Sequence, residues 1–371
     1  MSERYEVAIV GGGLVGLALA WGMRSLGARL AVIDAGDAGV ASQGNFGLVW
    51  VQGKGRGQPA YVDWTLRSAR AWPQLAAELR EHAGVDVALE QPGGLHACLS
   101  AREMEARAAH LDALVAQGGA ERCEVAMLPR AELVARLPQL GPEVAGGSFS
   151  PLDGHCNPLR LVVALRAGLV RAGVALRAGL RVDDVDASAT GFTLQTAAGP
   201  IAAERVVLAA GRTTQWLAPR LGLDVPLVAD TGEILVTERL QRFLPFPLET
   251  IRQADDGMVL IGDSHERRED GRQDLAVTGA IARRAQRVLP LLAGVRVVRA
   301  WAATRVMTRD GFPVYAQSSA HPGAFAIACH SGVTLAAAHA FALAPAILAG
   351  TLPAACAPFD AARLADVRAA A

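Results

Sequence analysis

Apolar positions along the chain follow two rhythms. Residues 5–10 form a short, largely β-branched and apolar run, as a parallel strand buried on both faces requires, and "RLAVID" (29–34) repeats the pattern. A helix-forming run to Leu26 lies between them. Helical periodicity recurs at 61–82, where Pro73 is expected to introduce a kink, and at 101–117, 158–172, 212–221, 273–288 and 331–349. Strand-like runs fall at 85–89, 94–99, 174–178, 191–196, 205–209, 232–237, 258–262, 295–300 and 323–328. "ERVVLAAGRTT" (204–214) reads as a further buried strand ending in a glycine turn. The strands before and after it alternate apolar and polar residues, which suits an antiparallel sheet with one wet face. The pattern implies a discontinuous architecture, with segments crossing between a parallel-sheet unit and an inserted antiparallel one. From about residue 354 the Ala-rich tail reads as a last helix or a frayed end.

The junction after the first strand carries the strongest motif. Gly11, Gly13 and Gly16 fit G-x-G-x-x-G, a helix follows, and the second strand ends in an acid, Asp34, 23 residues beyond Gly11. Gly11 permits the tight turn, Gly13 lets the backbone approach a pyrophosphate, and Gly16 lets helix and strand pack closely. The helix N-terminus supplies free N–H groups, and the acid accepts ribose hydroxyls, which disfavours a phosphorylated ribose. The motif alone does not separate NAD from FAD. The following stretch, "GVASQGNFGLVWVQGKGRG", spends over twenty residues on an extended loop suited to a large ligand, and that leans toward FAD.

Composition removes other classes. Of 371 residues, 51% are hydrophobic, enough for a large core, and 36 basic residues balance 36 acidic ones, so nucleic acid is not an expected partner. Nearly all the positive charge is Arg; the one Lys is Lys54. Cys98, Cys123, Cys156, Cys329 and Cys356 are scattered without a C-x-x-C, which argues against a disulfide framework or a zinc site; no metal is expected. "MSERYEVAIVGGG" lacks the uninterrupted apolar stretch of a signal peptide, and no apolar run is long enough to span a membrane. A soluble cytoplasmic protein is expected.

Together these motifs resemble the D-amino-acid-oxidase superfamily of FAD enzymes, in its glycine-oxidase-like branch. The resemblance rests on the fingerprint through Asp34, "ASQGNFG" (41–47), "DGHCNPLRLVVAL" (153–165), "VVLAAG" (206–211), and "RVMTRDGFPVY" (305–315) followed by "CHSGVTLA" (329–336). "IRQADDGMVLIGDSHE" (251–266) is most similar to catalytic subunits of opine oxidases and of hydroxyproline or proline dehydrogenases. The implied fold class is α/β: a Rossmann-like FAD-binding domain (1–85, 145–225 and 306–371) with an inserted, mainly antiparallel-sheet substrate domain (86–144 and 226–305). The resemblance implies FAD contacts at Gly11, Gly12, Gly13, Leu14, Val15, Gly16, Asp34, Ser42, Asn45, Gly47, Val182 and Gly211. It adds the turn His330, Ser331, Gly332, Val333 and Thr334, where a helix is expected to begin beside the flavin ring. Relatives that tether FAD use a cysteine near the Arg305 segment; no Cys lies between 157 and 328 here, so non-covalent FAD is expected.

The implied reaction is oxidation of the C–N bond of an amino acid or N-substituted amino acid by hydride transfer to flavin N5, with the imine hydrolysing to a 2-oxo acid. Arg305 stands at the family position for a carboxylate anchor, because a guanidinium holds a carboxylate through two parallel bonds. His265 is a substrate-facing candidate with a satisfied edge histidine as the alternative. Lys54, in "QGKGRG", either attracts a second carboxylate or lies in solvent. His330 shapes the flavin turn, and His155 is structural. The expected ligand is an amino acid or opine-like molecule. A homo- or hetero-oligomer with an electron-accepting subunit is a further expectation. The alternative reading is an FAD-bearing electron-transfer or structural subunit that is inactive alone; an NAD-dependent dehydrogenase is a third.

Overall fold

The computed structural model describes residues 4–37, 41–118 and 124–365, so Cys123 lies outside them. Its largest sheet has the order 314–317, 324–328, 201–208, 4–10, 30–34, 175–178. The four successive pairs from 324–328 to 175–178 are parallel, and the edge strand Val314–Gln317 pairs antiparallel. The hairpin of Val182–Ser188 and Gly191–Thr196 extends from Ile201–Leu208.

Period-two alternation distributes the central strands between two apolar layers. Val7, Ile9, Val32, Val207, Phe325 and Ile327 face the helices Leu14–Met23, Pro59–Ala83 and Pro158–Arg171. Ala8, Val10, Ala31, Ile33, Val206 and Leu208 face the hairpin and the segment 217–225. A separate core joins two antiparallel sheets, 251–253/258–261/231–239/297–304 and 94–98/146–150/126–129, with the helices Leu275–Val288 and Arg130–Arg136. Leu95 and Leu248 bridge these two sheets.

Several elements depart from their sequence pattern for identifiable reasons. Residues 85–89 form no strand, because Asp86 accepts the Ala88 N–H (2.9 Å) and Ala88 takes φ +51°. The pattern at 212–221 breaks into three short turns, Gly211–Thr213, Thr214–Leu217 and Ala218–Leu221, the last containing Pro219, which has no N–H to give. Pro59–Ala83 runs on through Pro73; the carbonyl that proline leaves free, Ala69 O, accepts from Gln91 Nε2 at 3.0 Å instead. The helix expected from 331 begins only at Ala336, after a turn, and passes through a π-helical stretch, His339–Leu343. Ser68 is the cause. Its hydroxyl donates to Thr334 O (2.6 Å) and accepts from Ala338 N (3.0 Å), standing where the helical bond between them would form.

Candidate active site

The first strand, Arg4–Val10, ends at Gly11, whose φ of +111° suits glycine and whose Cβ, if present, would collide with Ala209 O. At Gly16 a Cβ would strike Gly11 O, so this glycine allows the helix to close on the strand and does not line the cavity. Leu14–Met23 is capped by Gly13 and has no acidic residue in its first turn, which leaves its N-terminus suited to an anion. Leu14 N donates to Ser42 Oγ at 2.9 Å, and Gly12 N donates to Asp34 Oδ2 at 2.6 Å. Asp34 Oδ1 also accepts from Gly36 N (3.0 Å). The acid therefore braces the glycine turn as well as facing the cavity.

That cavity, about 530 Å³, is lined by Gly11, Gly12, Gly13, Leu14, Val15, Asp34, Ser42, Asn45, Val182, Gly211, His330 and Gly332, together with Arg166, Arg181 and Arg212. The three arginines carry no role in the sequence reading; scattered through an arginine-rich chain, they had no distinguishing spacing. Gly47 lies apart from the lining residues. It has φ +94°, takes its N–H to Asn45 Oδ1 (2.8 Å), and lets the backbone pass against Cys156 O and Arg252.

A second cavity, about 320 Å³, holds Lys54, His265, Arg305, Ser331, Val333 and Thr334 together with Trp50, Glu249 and Asp263. Ala41, Asn45, Thr304 and His330 belong to both cavities. The two cavities therefore adjoin, and the turn 330–334 lines both, with His330 and Gly332 in the first and His330, Ser331, Val333 and Thr334 in the second.

Arg305 follows the strand Val297–Thr304, and Gly232 on the neighbouring strand leaves it room: a Cβ there would strike the guanidinium. Its Nη1 donates to Asp230 Oδ1 (2.7 Å) and Ser264 O (2.9 Å), while Nη2 pairs with Asp263. His265 sits between the same two acids, Nδ1 at 3.0 Å from Asp230 Oδ2 and Nε2 at 3.2 Å from Asp263 Oδ2. Hydrogen bonds to Asp230 and then Asp263 push the imidazole up to about 9, so it is a cation at neutral pH. Burial would raise both acids, but the His265 bond and the Arg305 charge hold each below the usual carboxylate range. Two cations and two anions close a square. Neither acid was singled out in the sequence, where "VADTGE" and "IGDSHE" offer no spacing that links them.

Lys54 Nζ donates to Ser331 Oγ (2.8 Å) and lies 3.4 Å from Thr334 Oγ1. Burial pulls its pKa down to about 8, against the raising effect of Asp153. Ser331 Oγ also receives the Tyr61 hydroxyl (3.1 Å) and lies 3.0 Å from His330 Nε2. Burial lowers His330 to about 3, so its ring is neutral and accepts the serine proton.

The loop carrying Lys54 hangs from Asp153, which accepts from Val51 N (2.5 Å), Gln52 N (3.4 Å) and Gln52 Nε2 (2.7 Å). Burial raises this carboxyl to about 7. From the other side, Arg107 and His110 of the helix Ala101–Ala116 hold Gln52 Oε1 (3.0 Å) and Gly53 O (2.9 Å). Asp153 was visible in the sequence only as part of "DGHCNP". His155 is buried, pairs in register with Leu48, and lines neither cavity.

A family model described as FAD dependent oxidoreductase, DAO, matches residues 6–346. The chain belongs to this family. FAD is therefore its cofactor, and the first cavity fits one: a glycine cradle that side chains would fill, a helix N-terminus without an acid, and arginines around the lining. An opine oxidase subunit of Rhizobium meliloti is 42% identical over 354 residues, 94% of this chain and 95% of that protein. Glycine oxidase of Geobacillus kaustophilus (strain HTA426) is 29% identical over 343 residues, 89% of each. The crystal structure of glycine oxidase from Geobacillus kaustophilus superposes with a TM-score of 0.88 at 27% identity, covering 97% of this chain and 98% of that one. L-proline dehydrogenase from P. horikoshii shares the DAO fold at 18% identity, with a TM-score of 0.84 over 99% of both chains.

Proposed function

We propose that this FAD-dependent oxidoreductase oxidises the C–N bond of an amino acid or N-substituted amino acid. The observation that supports the reading is that the two cavities adjoin: Ala41, Asn45, Thr304 and His330 line both, so a molecule in the 320 Å³ cavity lies beside the dinucleotide cavity. Bound FAD would supply a hydride acceptor for the carbon next to nitrogen. Arg305 orients the substrate carboxylate through its fork, with Asp263 as the ligand it exchanges. Lys54 and Ser331 fix the turn that lines both cavities. Phe46, Trp50, Ile234, Met307 and Val333 provide apolar walls that exclude water until the imine departs to hydrolyse to a 2-oxo acid.

The names of the two relatives, an opine oxidase subunit and a glycine oxidase, support this class of substrate. An anaerobic screen of amino acids and opine-like secondary amines for flavin reduction tests it, repeated in air to detect peroxide. No reduction by any carboxylated amine would sink the reading. The word "subunit" in the first relative's name favours a second element, a partner chain. No helix among the described residues is long and apolar enough to cross a membrane. Full turnover by the isolated chain with oxygen as acceptor would remove the need for a partner.

A further inference from the structure

We infer that Asp263 is a built-in competitor of the substrate for Arg305: its carboxylate pairs with the guanidinium and yields it to the substrate carboxylate, turning onto His265. The inference rests on the carboxylate-anchoring role proposed for Arg305 and deepens it.

Two acids hold the guanidinium, and their surroundings differ. Asp230 accepts from Nη1 at 2.7 Å, its side chain is 12% exposed, and it lines neither cavity. Its backbone oxygen takes the Arg305 N–H as well, at 2.8 Å. Asp263 pairs with Nη2, is 45% exposed, and lines the smaller cavity together with Arg305. Of the two, only Asp263 stands where a ligand of that cavity would compete with it. An ion pair this open to water is weak enough to be traded, whereas Asp230 remains as the standing counter-ion.

The exchange needs no movement of the main chain. Gly262 N donates to Thr250 O (2.9 Å), and Ser264 Oγ accepts from Glu233 N (3.0 Å). Glu266 and Thr231 exchange both backbone bonds, at 2.9 and 2.8 Å. The segment carrying Asp263 is thereby pinned on both sides, and Ser264 O keeps its own bond from Nη1 (2.9 Å). Rotation about the Asp263 side-chain bonds suffices.

The displaced carboxylate also keeps a partner. His265 Nε2 lies 3.2 Å from Asp263 Oδ2, the oxygen that is not on Arg305. One carboxylate replaces another, so the guanidinium has two anionic partners before and after the exchange. Glu249 lines the same cavity but pairs with His96 and not with Arg305, which makes it the natural comparison.

The test uses methoxyacetate, a carboxylate without a C–N bond, and its neutral methyl ester. Binding to the FAD-loaded protein is followed by calorimetry and by perturbation of the flavin spectrum. Asp263→Asn and Asp263→Ala should each bind methoxyacetate about five- to twentyfold more tightly than wild type, while the ester shifts by less than about twofold. Glu249→Gln removes a negative charge from the same cavity without freeing Arg305, and should tighten methoxyacetate by less than about threefold. FAD content and melting temperature are measured for every variant. Weaker or unchanged binding in both Asp263 variants with FAD bound overturns the inference. So does an equal gain in Glu249→Gln, or no methoxyacetate binding to any of these proteins. Flavin reduction by amino acids is scored separately: tighter binding in the Asp263 variants without reduction by any amine keeps the exchange and discards the C–N oxidation.

Discussion

Both terminal nitrogens of Arg305 are already engaged, by Asp230, Asp263 and the Ser264 carbonyl. A substrate carboxylate must replace one acid, so geometry matters more than charge. Arg305→Lys keeps the charge and loses the fork; Arg305→Met loses both. Charge-assisted bonds contribute roughly 1.5–3 kcal/mol each, so flavin reduction should fall on the order of ten- to a few-hundredfold, Met the worse, with FAD retained. Stopped-flow rates equal to wild type in Arg305→Met would move the anchor elsewhere. His265 gives the same square a pH signature. Its pKa rises from 6.5 to about 9 on folding, so its stabilisation is complete below about 6.5 and disappears as pH climbs through 9. The ring is well exposed, so the effect is modest. Melting temperatures of wild type and His265→Gln should differ most below pH 6.5 and converge by about pH 10; a constant gap would exclude the linkage. The sequence pointed to both cations and to neither acid. An arginine at the end of an apolar strand advertises its need for an anion, whereas the anions arrive from distant loops that only the fold brings together.

Among elements, the loop around Lys54 shows how a floppy-looking sequence is held. "QGKGRG" has no apolar pattern, yet Asp153 takes two of its N–H donors and that of the preceding Val51, and the helix Ala101–Ala116 grips it from the opposite side. In Asp153→Asn the new amide donor would face Gln52 Nε2, itself a donor, leaving a buried group unsatisfied at about 1–3 kcal/mol. Denaturant unfolding should register that loss, and substrate affinity should drop with FAD content preserved. Unchanged stability would mean that the loop is held elsewhere. The buried strands and long helices were legible because burial itself writes their period. Elements at 85–89 and 331–335 were not, because single side chains, Asp86 and Ser68, capture backbone groups that the pattern assigns to strand or helix.

At the scale of the molecule, the mixed large sheet and the antiparallel sheet containing 231–239 and 297–304 contribute residues to two adjoining cavities. The glycine fingerprint, read from 34 residues, located the larger cavity. The smaller one draws on segments from Ala41 to Thr334, and no local window contains its lining. Gly13→Val tests the larger. A branched side chain there would crowd Ser42 Oγ, which a Cβ already approaches to 2.9 Å, and fill the space above the helix N-terminus. The purified variant should carry little FAD and melt early; normal flavin absorbance would relocate the fingerprint. Heat or acid should release intact FAD from the wild type, and colour left on the denatured chain would contradict non-covalent binding.

The chain has a single lysine, and that lysine lines the smaller cavity. In the language of chemical labelling, the site carries its own address. With a pKa of about 8, roughly half of Lys54 is neutral and nucleophilic at pH 8, against about one in three hundred for an ordinary lysine. Brief treatment with an amine-acylating reagent should therefore mark one side chain in the whole protein, read by peptide mass mapping, and a ligand bound in the smaller cavity should protect it. A spectroscopic or isotopic reporter can be placed within reach of the substrate without altering a codon.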